Sequence, residues 1–203
     1  MFADTDLNEE KLFLIANHLY APSYVSLESA LSYYGLIPEG VYSITSVSSM
    51  KTTRFETPIA DYVYRNVRPQ LLFGYHLKQV GGQGYKIAEI EKAVLDYLYL
   101  NPNIVREADF HEWRFNSGEF LAHADIAKLR AYAQGSYRKS FCLRLEKLIL
   151  LIGSAQNHHP ALRGGDEWTH TIVGRAEARS ASKKLAHGAA QQRGADKFIE
   201  KNK

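Results

Sequence analysis

Three observations predict an α+β fold. Apolar residues recur at helical spacing on both sides of residues 41–87, and the interval between alternates with period two and is rich in β-branched and tyrosine residues. Within it, Gly81-Gly82-Gln83-Gly84 supplies the backbone freedom of a hairpin turn. The expected architecture is a small, mostly antiparallel sheet over about 41–87 packed with helices before and after it. A helical C-terminal half and a poorly ordered tail follow. At 203 residues, 45% hydrophobic and 23% charged, the chain has globular composition and material for one ordinary domain or two small ones.

Asp6, Glu9 and Glu10 place acids at a helix start, and Leu12, Ile15, Ala16 and Leu19 form its stripe until Pro22 ends it. A second helix has Ser26 as N-cap, its hydroxyl expected to accept from a first-turn N–H, with Glu28 at the positive end. Leu27, Ala30, Leu31 and Tyr34 fall on one face, and Gly35 and Pro38 stop it. From Val41 the period becomes two, with Tyr42 and Ile44 opposite Val41 and Val47. A polar link over 48–53 leads to a short return strand, Arg54 to Thr57. Residues 61–67 alternate again, with Tyr62 and Tyr64 opposite Val63, Arg65 and Val67; Gly74 to Val80 and Tyr85 to Ile87 complete the sheet across the glycine turn.

Ala88 to Leu100 is apolar around most of its circumference, which suits a helix central to a core; Pro102 closes it. Weaker helices are expected over 106–116 and 119–134, broken near Ser117-Gly118 and Gly135. The last periodic segment, Tyr137 to Ile152, lines one face with Phe141, Leu145, Leu148, Ile149 and Ile152. The predicted division is a domain over 1–152, its sheet-containing part about 1–100 and its helical part about 104–152. A low-order basic extension over 153–203 completes it, rich in Ala, Gly, Arg and His.

No apolar run reaches the ~20 residues of a spanning helix, and the N-terminus is acidic, the wrong sign for a signal peptide. The expectation is a cytoplasmic protein with no membrane partner. The lone Cys142 excludes an intramolecular disulfide and any multi-cysteine zinc site, and its apolar helical setting marks a core thiol. Charge is unevenly spread: residues 1–48 hold Lys11 against six acids, whereas residues 49–86 hold six bases against Glu56 and Asp61.

Glu89, Glu91 and Asp96 beside Lys92, with Asp61 as a further ligand, would suit a metal-dependent nuclease. Their helical spacing matches ordinary surface pairing instead, Glu89 with Lys92 and Lys92 with Asp96. His18, His76, His111 and His123 are scattered, and His158, His159, His170 and His187 fall in the tail without the context of a zinc helix. The glycine turn lacks the lysine and hydroxyl of a phosphate loop, and no serine sits in a nucleophile elbow. No catalytic, cofactor or metal residue is assigned, and the chain is expected not to be an enzyme. The candidate nucleic-acid contacts are Lys51, Arg54, Arg65, Arg68, Lys78 and Lys86, interleaved with Phe55, Tyr62, Tyr64, Phe73, Tyr75 and Tyr85. Arg138, Lys139, Arg144 and Lys147 on the last helix join them. The bland expectation for the tyrosines is that they face the core.

Two stretches resemble the AbiEi family of antitoxins, also described as predicted transcriptional regulators of viral defence systems. They are Tyr24-Val25-Ser26-Leu27-Glu28-Ser29-Ala30-Leu31 with Tyr34-Gly35-Leu36-Ile37-Pro38, and Lys86-Ile87-Ala88-Glu89-Ile90-Glu91-Lys92-Ala93-Val94-Leu95-Asp96. Thr45 to Pro69, with Arg54-Phe55-Glu56-Thr57-Pro58, fits the family pattern between them, so the resemblance covers about residues 12–152. It implies the antitoxin of a type IV toxin–antitoxin (abortive infection, phage defence) system, counteracting a nucleotidyltransferase-like toxin without needing a stable complex with it. Family members carry an N-terminal winged helix-turn-helix that binds their promoter. The first helix is expected to correspond to the last one before the antitoxin domain, which leaves that module without an expected counterpart, so promoter binding is not carried over. A DNA-binding regulator and a metal-dependent nuclease are the alternative expectations.

Overall fold

The computed structural model describes residues 8–38 and 42–157, all within one compact unit spanning 1–158. The tail expected to be of low order lies outside the described residues from position 158, as do its four histidines.

Helix α1 (Glu9–Leu19) starts at Asn8, whose side chain accepts from the Lys11 N–H at 3.0 Å. Its buried face is Phe13 and Ala16, while Leu19, expected on the stripe, is exposed. Strand β1 (Ser23–Val25) comes next and was not expected: it is three residues long and buried throughout. Helix α2 (Leu27–Tyr33) follows, with Leu27, Ala30 and Leu31 buried as predicted. Gly35 takes the left-handed φ of 69°, and the Leu36 N–H returns to the Leu31 carbonyl at 2.8 Å, a Schellman-type stop.

Strands β2 (Ser43–Ser48), β3 (Thr53–Glu56), β4 (Asp61–Asn66), β5 (Tyr75–Val80) and β6 (Gln83–Ala88) complete a six-stranded sheet in the order β3-β4-β2-β1-β6-β5. Three pairings are antiparallel, β1 with β2, β3 with β4 and β5 with β6. The two others are parallel, β1 with β6 and β2 with β4. The sheet is therefore mostly antiparallel, but it extends back to residue 23. The β5–β6 turn is only Gly81-Gly82, both at positive φ, the two-residue geometry whose twist matches its strands.

Alternation sorts the two faces. Tyr64 and Tyr85 face α1: the Tyr64 hydroxyl donates to the Ala16 carbonyl at 2.7 Å, and Phe13 lies 6.0 Å from the Tyr85 ring. Tyr24 and Arg65 face the other way, onto α3 (Ile90–Leu100). With helices on both faces, β2 is buried on both, so Ile44 and Val47 are core whichever way they point. Tyr42, expected to share a face with Ile44, precedes the strand and is 99% exposed.

The helical half has one more break than expected: α4 (Glu107–Glu112), α5 (Ser117–His123) and α6 (Ile126–Ser136). Asp125 makes the extra boundary by accepting from the Ala127 and Lys128 N–H groups, and Gly135 lies inside α6 rather than after it. Helix α7 (Lys139–Asn157) buries Phe141, Leu145, Leu148 and Ile152 and runs past Gly153, where the sequence reading ended it. Among the described residues no helix is long and apolar enough to cross a membrane.

Candidate functional site

Helix α3 organises the polar interior. Asp96 and Lys92, one turn apart, are both fully buried and paired with each other, which corrects the expectation of a surface pair. The second oxygen of Asp96 accepts from the Tyr24 hydroxyl at 2.8 Å and from the Ser26 hydroxyl at 2.9 Å. Lys92 lies 5.0 Å from the Phe73 ring centroid and 5.6 Å from that of Tyr24. Burial pushes the Asp96 carboxyl up and the Lys92 ammonium down; their mutual attraction and the two hydroxyls oppose this.

This arrangement also changes the cap of α2. Ser26 is at the predicted N-cap position, but its hydroxyl donates to Asp96 instead of accepting from the helix. Thr45, on β2, takes over: its hydroxyl accepts from the Ser29 N–H at 2.9 Å and donates to the Ser26 carbonyl at 2.8 Å.

Glu89 and Glu91 turn away from Asp96. Both reach Lys128 of α6, at 2.9 and 3.4 Å, and Glu89 also accepts from the Tyr132 hydroxyl at 2.8 Å. Burial raises the Glu89 carboxyl, but the Lys128 and Tyr132 bonds outweigh it and hold the group below the ordinary range. Asp61 pairs with Arg54 at the far side of the sheet. The acids once grouped as metal ligands are thus divided among three cationic partners, and no group of three or more His, Cys, Asp or Glu converges among the described residues.

The ten candidate nucleic-acid residues also separate. Arg54 is on the β3 edge, bound to Glu56 and Asp61. Lys78 and Lys86 are on the opposite flank, five strand spacings from β3 to β5, roughly 24 Å. The Lys78 ammonium donates to the Tyr33 hydroxyl, and Lys86 lies 5.1 Å from the Tyr75 ring. Lys51 is exposed in the β2–β3 link. Tyr62, Tyr64 and Tyr85 are wholly buried, so the sheet does not offer a continuous basic, aromatic face.

What comes together instead is a cleft of about 680 Å³ lined by Arg68, Arg138, Arg144 and Lys147. Each arrives from a different constraint. Arg68 follows β4 at the position just before the 3-10 turn Pro69–Leu71, and Arg138 directly precedes α7. Arg144 reaches back to the end of α3, donating to the Pro102 carbonyl at 2.7 Å and to that of Leu98. Arg65 meets the same helix end at the Leu100 carbonyl, 3.2 Å away. These guanidinium groups satisfy carbonyls that have no partner within the helix and lie at its negative pole. Burial pushes the Arg144 guanidinium down. Lys147 donates to the Val105 carbonyl at 2.8 Å, pinning the α3–α4 link. Lys139 is exposed next to Arg138 but outside the cleft lining.

Arg68 and Arg138 are exposed, and among the described residues neither has an acidic partner. Of the ten basic residues, those near the end of α3 therefore divide into structural anchors, Arg65, Arg144 and Lys147, and two cations over the concavity, Arg68 and Arg138. Tyr99, Tyr137 and Phe141 pack as a ring cluster beneath it, with centroids 4.4 to 6.3 Å apart. Nothing in the sequence marked Tyr99 for this place; its spacing on an all-round apolar helix reads as core. Chemically, the site can hold an anion attached to an apolar surface.

The structure is a mixed α/β fold with a basic concavity between the end of α3 and the start of α7. No protein-family model matches the chain, and no curated protein matches it.

Proposed function

We propose that this chain is the antitoxin of a type IV toxin–antitoxin system, acting in the cytoplasm against a nucleotidyltransferase-like toxin and catalysing no reaction of its own. The observation that supports this reading is the meeting of the two stretches that resemble the AbiEi family. Tyr24 and Ser26 belong to the first and Lys92 and Asp96 to the second, and they share one buried network across 72 residues of sequence. The Tyr34 hydroxyl of the first also donates to the Ala88 carbonyl of the second at 2.8 Å. A buried charge left without its partners is strongly destabilising, so the two stretches constrain one another's residue types. A resemblance carried by both is a resemblance of one folded unit rather than of two separate helices.

Co-expression with the neighbouring toxin gene tests the proposal. Restored growth is the expected outcome; growth arrest despite accumulation of folded chain would sink it. Leu31→Asp, which places a charge at a fully buried position, should lose both fold and rescue.

A second reading, a DNA-binding transcriptional regulator, is favoured by Arg68 and Arg138 over the cleft, neither of which has an acidic partner among the described residues. It predicts salt-sensitive, sequence-specific retardation of the gene's own upstream DNA, weakened by Arg68→Ala. Absence of any shift would leave the antitoxin reading alone.

A further inference from the structure

We propose that the cleft between Arg68, Arg138 and the α3–α4 link is a binding site for a nucleoside phosphate, either a free nucleotide or the phosphorylated end of a single strand. The proposal rests on the cleft alone and not on the antitoxin reading.

Charge comes first. Four cations line the concavity and no acid does. Two of them are held by backbone carbonyls; Arg68, whose guanidinium lies 6.0 Å over the Tyr99 ring, and Arg138 have no acid paired with them among the described residues and remain to meet a ligand. Helix α7, 19 residues long, begins at the same place with no acid in its first turn and with Arg138 and Lys139 at its start. Two bases at the positive pole of a helix repel its dipole, a cost that an anion seated there would relieve.

The apolar surface is the second, independent observation. Val105 and Leu143 line the cleft while 49% and 65% exposed, and Tyr99, which lines it too, packs against Tyr137 and Phe141 with ring centroids 5.6 and 6.3 Å away. Exposed apolar side chains beside guanidinium groups that no acid neutralises suit a ligand that is planar and apolar at one end and anionic at the other. Size then narrows the class: about 680 Å³ lies within the roughly 300–1,000 Å³ of small-ligand clefts, enough for one nucleotide and its phosphate. The Arg144 and Lys147 bonds to Pro102 and Val105 hold the rim in place before any ligand arrives, so little ordering cost is expected on binding.

Titration calorimetry on the full chain with AMP, adenosine, inorganic phosphate and a 5′-phosphorylated single-stranded RNA hexamer tests this. AMP should bind, with adenosine and phosphate each at least about tenfold weaker, because each lacks half of the recognised chemistry. Arg68→Ala and Arg138→Ala should each weaken AMP about tenfold, the scale of one charge-assisted contact, with the thermal midpoint unchanged because both side chains are exposed. Arg138→Lys should retain most of the affinity. A hexamer that binds more tightly than AMP assigns the site to strand ends; one that binds no better assigns it to free nucleotides. The proposal is overturned if neither AMP nor the hexamer binds at millimolar concentration. It is equally overturned if phosphate matches AMP, or if the Arg68→Ala/Arg138→Ala double variant binds AMP as the parent does.

Discussion

Asp96 shows how one side chain can carry several parts of the fold. It pairs with Lys92 on its own helix, accepts from Tyr24 on a strand and from Ser26 at the start of another helix, all without access to water. Asp96→Asn should destabilise the protein by about 3–5 kcal/mol in urea unfolding, because it strands a buried ammonium. Combining it with Lys92→Met should recover much of that loss; if the double variant is no better than the single, the stranded charge is not the cause. In sequence, opposite charges at i, i+4 look the same on a solvated face as in a core. The signal that separates the cases is the company they keep. Ile90, Ala93, Val94, Leu95 and Leu98 are all buried and leave α3 no wet face on which Lys92 and Asp96 could sit. That all-round apolarity was legible, and its consequence for the charges follows directly from it.

At the scale of elements, long periodic segments were the legible ones. Helices α2, α3 and α7 and strands β3 to β6 lie close to where spacing and turn residues put them. Strand β1 was hidden because three residues cannot display a period, and both its faces are covered, so it has no alternation to display. The extra break before α6 depended on Asp125 serving as a cap, a role its neighbours in sequence do not announce. The short link between the 3-10 turn and β5 shows a further constraint. Gly74 has φ of 70°, and a Cβ there would lie 3.2 Å from Lys92 and from the Tyr132 ring. Gly81 has φ of 57° but open space around it. Gly74→Ala and Gly81→Ala therefore share the left-handed penalty of about 1 kcal/mol, and the crowding at Gly74 adds to it. Thermal unfolding should place Gly74→Ala clearly below Gly81→Ala; equal midpoints would mean that the neighbours yield freely.

Across the whole molecule, the sheet and the late helices are joined through the end of α3. Arg144 of α7 holds three carbonyls there, those of Leu98, Asn101 and Pro102, and Arg65 of β4 holds that of Leu100. Arg144→Met, which keeps much of the apolar stem, should cost roughly 1–3 kcal/mol and speed amide exchange in α7 more than in the sheet. Uniform acceleration would show instead that the two halves open together. The basic residues were visible in sequence, but their gathering was not, since Arg68 and Arg138 line one cleft only because the chain after α3 comes back to the end of that helix where α7 starts. The strand order carries one more consequence. The outer strand β3 is four residues long and presents Arg54 and Glu56, whereas the outer strand β5 presents Leu77, 67% exposed, beside Tyr75. Charged, short borders discourage strand-to-strand growth and apolar ones invite it. Crowded or partly unfolded copies of this protein should therefore associate in one direction, through the β5 border, with β3 as the protected end.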